Sequence, residues 1–133
     1  MEKYYEFEGK INYKDKDGWI VIDVPHSIIN YYKVVIEKLI WKKISTPLYG
    51  GHISLLPSKH NGDFRKHFAW KKYHGKKVIV KYSPIIYTNE LVGNNRYFWL
   101  KCETEIVGLI REEFGLEKNL RWPLHITIGY LGE

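Results

Sequence analysis

Two tripeptides in this chain, His52-Ile53-Ser54 and His125-Ile126-Thr127, place an imidazole two residues before a hydroxyl inside an apolar run. Successive side chains of an extended strand alternate faces, so each His shares a face with its Ser or Thr. Ile53 and Leu55, or Ile126 and Ile128, then point the other way, into a core. Built twice, the pattern offers two imidazoles and two hydroxyls to one cleft. Imidazole is the side chain whose unperturbed pKa lies nearest neutrality, so one ring can accept a proton and the other donate one on a single phosphodiester. The hydroxyls can hold phosphate oxygens. His52, Ser54, His125 and Thr127 are therefore the candidate catalytic set for a phosphodiester cleavage that needs neither a metal nor another cofactor.

The elements that must carry these residues are legible from periodicity and turn chemistry. Tyr4 to Tyr13 reads as an extended, edge-like start interrupted by Gly9, and Lys14-Asp15-Lys16-Asp17-Gly18 as a turn. Trp19 to Val24 is a buried kind of strand. Pro25 suits a first helical turn, and Ile28, Ile29, Tyr32, Val35, Ile36, Leu39 and Ile40 predict an amphipathic helix over 25–41. His52 to Leu56 is the next strand, closed by Pro57. Asp63 to Trp70 reads as a short helix and His74-Gly75 as a turn. Lys76 to Tyr82 alternates as a half-exposed strand that Ile85 to Thr88 extends or follows, and Asn89 to Asn95 is a hairpin-type connection. Arg96 to Cys102 is a strand, 103–115 a helix capped by Gly115, and Leu124 to Leu131 the final strand.

Set side by side, the halves form a weak internal repeat: strand 19–24, helix 25–41 and strand 52–56 against strand 96–102, helix 103–115 and strand 124–131. Each unit ends in an apolar-flanked His-x-Ser/Thr. A lone motif of this kind is more simply an ordinary strand histidine; two of them, closing equivalent units, supply convergent geometry. A pseudo-two-fold arrangement would bring both terminal strands to the centre of a concave sheet with the imidazoles facing.

The chain's 133 residues fit one domain, with 44% hydrophobic residues to fill a core and a 16% aromatic share that can also line a surface. A net charge of +6 favours anionic partners without choosing among them. Cys102 is the only cysteine, which excludes a disulfide framework and reads as a small buried hydrophobe. No signal-type N-terminus or spanning apolar stretch is present, so the expectation is a soluble protein of a reducing compartment.

The arrangement resembles the 2H phosphoesterases, a superfamily named for two His-x-Ser/Thr motifs, over most of the chain. A closer similarity is to a small phage branch, the anti-CBASS nucleases, which degrade cyclic oligonucleotide alarms of bacterial immunity. It rests on Tyr31-Tyr32, Gly51-His52-Ile53-Ser54, Tyr73-x-Gly75-Lys76-x-Val78, Tyr97-Phe98-Trp99-Leu100 and Leu124-His125-Ile126-Thr127-Ile128-Gly129. The resemblance implies an α+β fold in which two pseudo-symmetric lobes of antiparallel sheet, with helices on their outer faces, flank a central groove. It implies a metal-independent attack of a ribose 2′-OH on the adjacent 3′-phosphodiester, with either His as base and the other as acid. Ser54 and Thr127 would hold the non-bridging oxygens. The implied partner is a cyclic oligonucleotide or RNA-like phosphodiester, not double-stranded DNA and not a membrane, and the implied compartment is a bacterial host cytoplasm. Alternatives within the chemistry are RNA 2′,3′-cyclic phosphate ends or 2′,5′-linked oligonucleotides; outside it, a non-catalytic nucleotide or RNA binder. In the phage branch a first-strand aromatic stacks on a base, a place taken here by Trp19 or, in the other register, Ile20. The chain ends eight residues after His125, so a C-terminal lid is expected to be missing or to come from another subunit.

Arg121 and Trp122 precede the second motif and are candidate substrate contacts at the groove mouth. His60, His67 and His74 match no standard metal-ligand spacing and read as solvated. Lys71, Lys72, Lys76 and Lys77, with Arg65, Lys66 and Trp70, form a basic-aromatic run that reads either as a polyanion patch or as a solvated face. Glu112-Glu113 reads as an exposed pair.

Overall fold

The computed structural model describes residues 3–16, 18–47, 50–56, 64–90, 96–118 and 124–132. Its elements are β1 (Tyr5–Lys14), β2 (Trp19–Asp23), α1 (His26–Ile40), β3 (His52–Leu56), β4 (Lys77–Glu90), β5 (Arg96–Glu103), α2 (Ile106–Glu113) and β6 (His125–Leu131). The order strand, strand, helix, strand thus occurs twice. All six strands form one antiparallel sheet in the order β3-β2-β1-β4-β5-β6, so the two copies join along β1 and β4. The sheet curls until β3 and β6 approach each other again, which nearly closes it.

Alternation along each strand sorts the side chains. Phe7, Ile11 and Tyr13, Ile20 and Ile22, Ile53 and Leu55, Val80 and Tyr82, Phe98 and Leu100, Ile126 and Ile128 share one buried cluster. Ile29, Tyr32 and Ile36 of α1 and Ile106 and Ile110 of α2 complete it, so both helices cover that face of the sheet. Removing this much apolar surface from water is the main stabilising term. Cys102 joins the cluster, as its composition implied, and burial pushes its thiol up to about 12, far from a reactive thiolate. No described helix is long and apolar enough to cross a membrane.

Four expectations are corrected. β1 is no edge: it pairs with β2 on one side and β4 on the other. Gly9 does not interrupt it but permits a close approach, since a Cβ there would lie 2.4 Å from Ile22 Cγ2. The motif strands β3 and β6 end the hydrogen-bonded order instead of occupying its middle, and meet through curvature. Finally, 64–76 is a chain of turns with successive i to i−3 hydrogen bonds, not a helix; Asp63 lies outside the described residues.

That turn-rich segment consumes much of the basic-aromatic run. Trp70 donates to Asp15 Oδ1 at 2.9 Å, Lys71 pairs with the same carboxylate, and Arg65 donates to the Asp15 and Lys16 carbonyls. Lys72 and Tyr73 both donate to Glu113, at 2.6 and 2.8 Å. Glu113 is therefore a tether between this segment and α2, not half of an exposed pair. His74 is likewise engaged, its Nδ1 accepting from the Tyr13 amide at 3.0 Å.

Candidate active site

β3 and β6 present their motifs in the same way. His52 and Ser54 lie opposite Asp23 and Val21, and His125 and Thr127 lie opposite Lys101 and Trp99. Immediately after each hydroxyl residue the ladder slips. Leu55 has no partner between the pairs Val21–Ser54 and Ile20–Leu56, and Ile128 has none between Trp99–Thr127 and Phe98–Gly129. A bulge bends its strand and re-aims the side chains beside it. Both bulges fall at the same distance from their His, while Ile53, Leu55, Ile126 and Ile128 stay fully buried on the helix side. All four motif polar residues are half-buried on the opposite face.

His52 is held in one tautomer. Its Nδ1 lies 3.1 Å from the Gly50 carbonyl, which can only accept, so Nδ1 carries the hydrogen and Nε2 keeps its lone pair. Burial is the main cause that holds its pKa below the usual imidazole value. The Gly50 carbonyl and Asp23 oppose that depression, while the positive charge of Lys14 adds to it. β3 and β6 approach each other where the sheet nearly closes, so the two motif faces lie on neighbouring strands.

An indole flanks each imidazole. Trp19 meets His52 edge-to-face with centroids 4.8 Å apart, and Trp99 meets His125 similarly at 5.7 Å. Trp19 Nε1 donates to Ser54 Oγ at 2.8 Å, and Lys14 Nζ sits 5.7 Å from the indole centroid. Trp99 stacks on Tyr87 at 4.7 Å, and its buried Nε1 has no hydrogen-bond partner among the described residues.

Of the residues singled out from the sequence, His52, Ser54, His125, Thr127 and Trp19 occupy this region; Arg121 and Trp122, with His60, lie outside the described residues. Lys14, Asp23, Trp99 and Tyr87 were not singled out for the site. Trp99 had a signal: it alternates with the core residues Phe98 and Leu100, so it must face the motif side. Lys14 had none until the β1–β2 register set it opposite Trp19.

Two recesses, of about 640 and 470 Å³, open beside α2 and beside α1, and neither includes a motif residue in its lining. Among the described residues, no three His, Cys, Asp or Glu side chains gather as a metal site requires. Comparison with protein-family models, with curated proteins and with solved structures returned no match.

Proposed function

We propose that this chain is a metal-independent phosphodiesterase of the 2H kind, cleaving 3′,5′ linkages of cyclic oligonucleotide messengers as a phage counter-defence enzyme in a bacterial cytoplasm. On this reading the two strand-strand-helix-strand units are the pseudo-symmetric lobes and the face bearing the motifs lines the groove. The observation that carries it is the matched presentation of two His-x-Ser/Thr strands, each bulged one residue after its hydroxyl, on strands that approach each other as the sheet nearly closes.

The environment of His52 suits it to be the base. A neutral ring with Nε2 open accepts the ribose 2′-OH proton as that oxygen bonds to phosphorus. His125, protonated, gives its proton to the departing 5′ oxygen as the P–O5′ bond breaks. The product is a 2′,3′-cyclic phosphate, which water opens with the roles exchanged. Ser54 and Thr127 stabilise the charge that grows on the non-bridging oxygens. The sequence left the base and acid open; the Gly50 contact supports this assignment.

The direct test is incubation of the protein with cyclic dinucleotides, cyclic trinucleotides, 2′,5′-linked oligonucleotides and RNA 2′,3′-cyclic ends, with and without EDTA, and identification of the products by mass. Cleavage of cyclic oligonucleotides that EDTA leaves unchanged is expected. Cleavage confined to linear RNA ends would move the substrate class, and activity abolished by chelator and restored by metal would overturn the mechanism.

The pH profile follows from the same site. With the His52 pKa depressed, the acid limb of kcat/KM lies below pH 6.5, because the base stays neutral past the point where an ordinary imidazole would protonate. Lys14→Met removes a cation that opposes protonation, so the limb moves to higher pH. A limb unmoved in this variant would show that Lys14 does not act on the base.

A further inference from the structure

We infer that Trp19 is a positioning residue that turns the hydrogen of the Ser54 hydroxyl away from the indole and toward the reacting phosphate; this rests on the phosphodiesterase reading and deepens it. An indole N–H can only donate, and a serine hydroxyl has one hydrogen and two lone pairs. With Trp19 Nε1 at 2.8 Å from Ser54 Oγ, one lone pair is occupied and the hydroxyl hydrogen must point away from the ring. Ser54 lies on the same face of β3 as His52, so the hydrogen is available to an anionic oxygen held at that imidazole.

Three contacts fix the indole for this task. Trp19 ends the β1–β2 ladder opposite Lys14, whose ammonium lies against the ring, and His52 packs on it edge-to-face. The ring thereby joins the general base and the oxyanion donor in one rigid unit, and the arrangement needs no reorganisation when charge develops. The other half lacks it: Trp99 packs against His125, yet its Nε1 reaches no partner among the described residues. Among the described residues, an indole N–H reaches a motif hydroxyl on the Ser54 side only.

This role differs from a base-stacking platform, which would use the ring and not its N–H. Trp19→Phe keeps an aromatic ring and deletes the donor, so we expect kcat to fall roughly 10-fold with KM nearly constant, less than the roughly 100-fold loss on removing an oxyanion donor outright in Ser54→Ala. In the Ser54→Ala background Trp19→Phe is silent, and in Ser54→Thr, which restores a hydroxyl, its effect returns. Equal losses from Trp19→Phe in all three backgrounds, or a rise in KM alone, would overturn the inference. Binding of inorganic phosphate to the same variants, read by calorimetry, separates it from the hydrolase reading. If the wild type cleaves no oligonucleotide but Trp19→Phe weakens phosphate binding only when Ser54 is present, the catalytic reading fails and the positioning role stands. Phosphate binding indifferent to both residues defeats the inference even where cleavage is observed.

Discussion

Replacing His52 or His125 by alanine is expected to lower turnover by roughly 10²- to 10⁴-fold while leaving the fold intact. Positioned proton transfer contributes about that factor, and in the mechanism we propose each ring serves a different transfer, so neither substitutes for the other. Both side chains are half-buried on the motif face, and their strands are anchored from the other side by Ile53 and Ile126. Initial rates on the best cyclic oligonucleotide, with a circular dichroism melt of each variant, check this. The double variant is expected to be little worse than either single one, since residues acting as a unit do not add. Full activity in either single variant would remove the case for paired acid-base chemistry.

Ile126→Ala is expected to do the reverse one residue along the chain. Ile126 is fully buried between the sheet and the helices, opposite the face that carries His125 and Thr127. Truncating such a side chain costs about 2–5 kcal/mol through lost burial and an incompletely collapsed cavity. A denaturant titration should show the midpoint falling without a large change in slope. His125→Ala, one position earlier, should move that midpoint little. A stable Ile126→Ala together with an unfolded His125→Ala would mean that β6 is turned over and the motif faces the interior.

Local periodicity carried much of this molecule. The helix over 25–41 forms as His26–Ile40 and that over 103–115 as Ile106–Glu113, because apolar residues at three and four spacing can bury only as a helix stripe. β3 and β6 likewise begin at the motif histidines, where His-x-Ser/Thr alternation with Ile and Leu left one face polar. The segment 64–76 escaped this reading because its contacts are distant in sequence. Asp15 and Glu113 organise it, and nothing near Arg65 or Lys72 announces that such partners exist.

What the amino-acid order determined by itself was therefore which residues share a face: strand alternation ties His52 to Ser54 and His125 to Thr127 irrespective of what surrounds them. What only the tertiary structure decided was who meets whom across strands. Register set Lys14 beside Trp19, and curvature of the sheet brought β3 toward β6. Those outcomes depend on non-local pairing, as do the bulges at Leu55 and Ile128, since a bulge is a property of two strands together, which no single stretch of sequence contains.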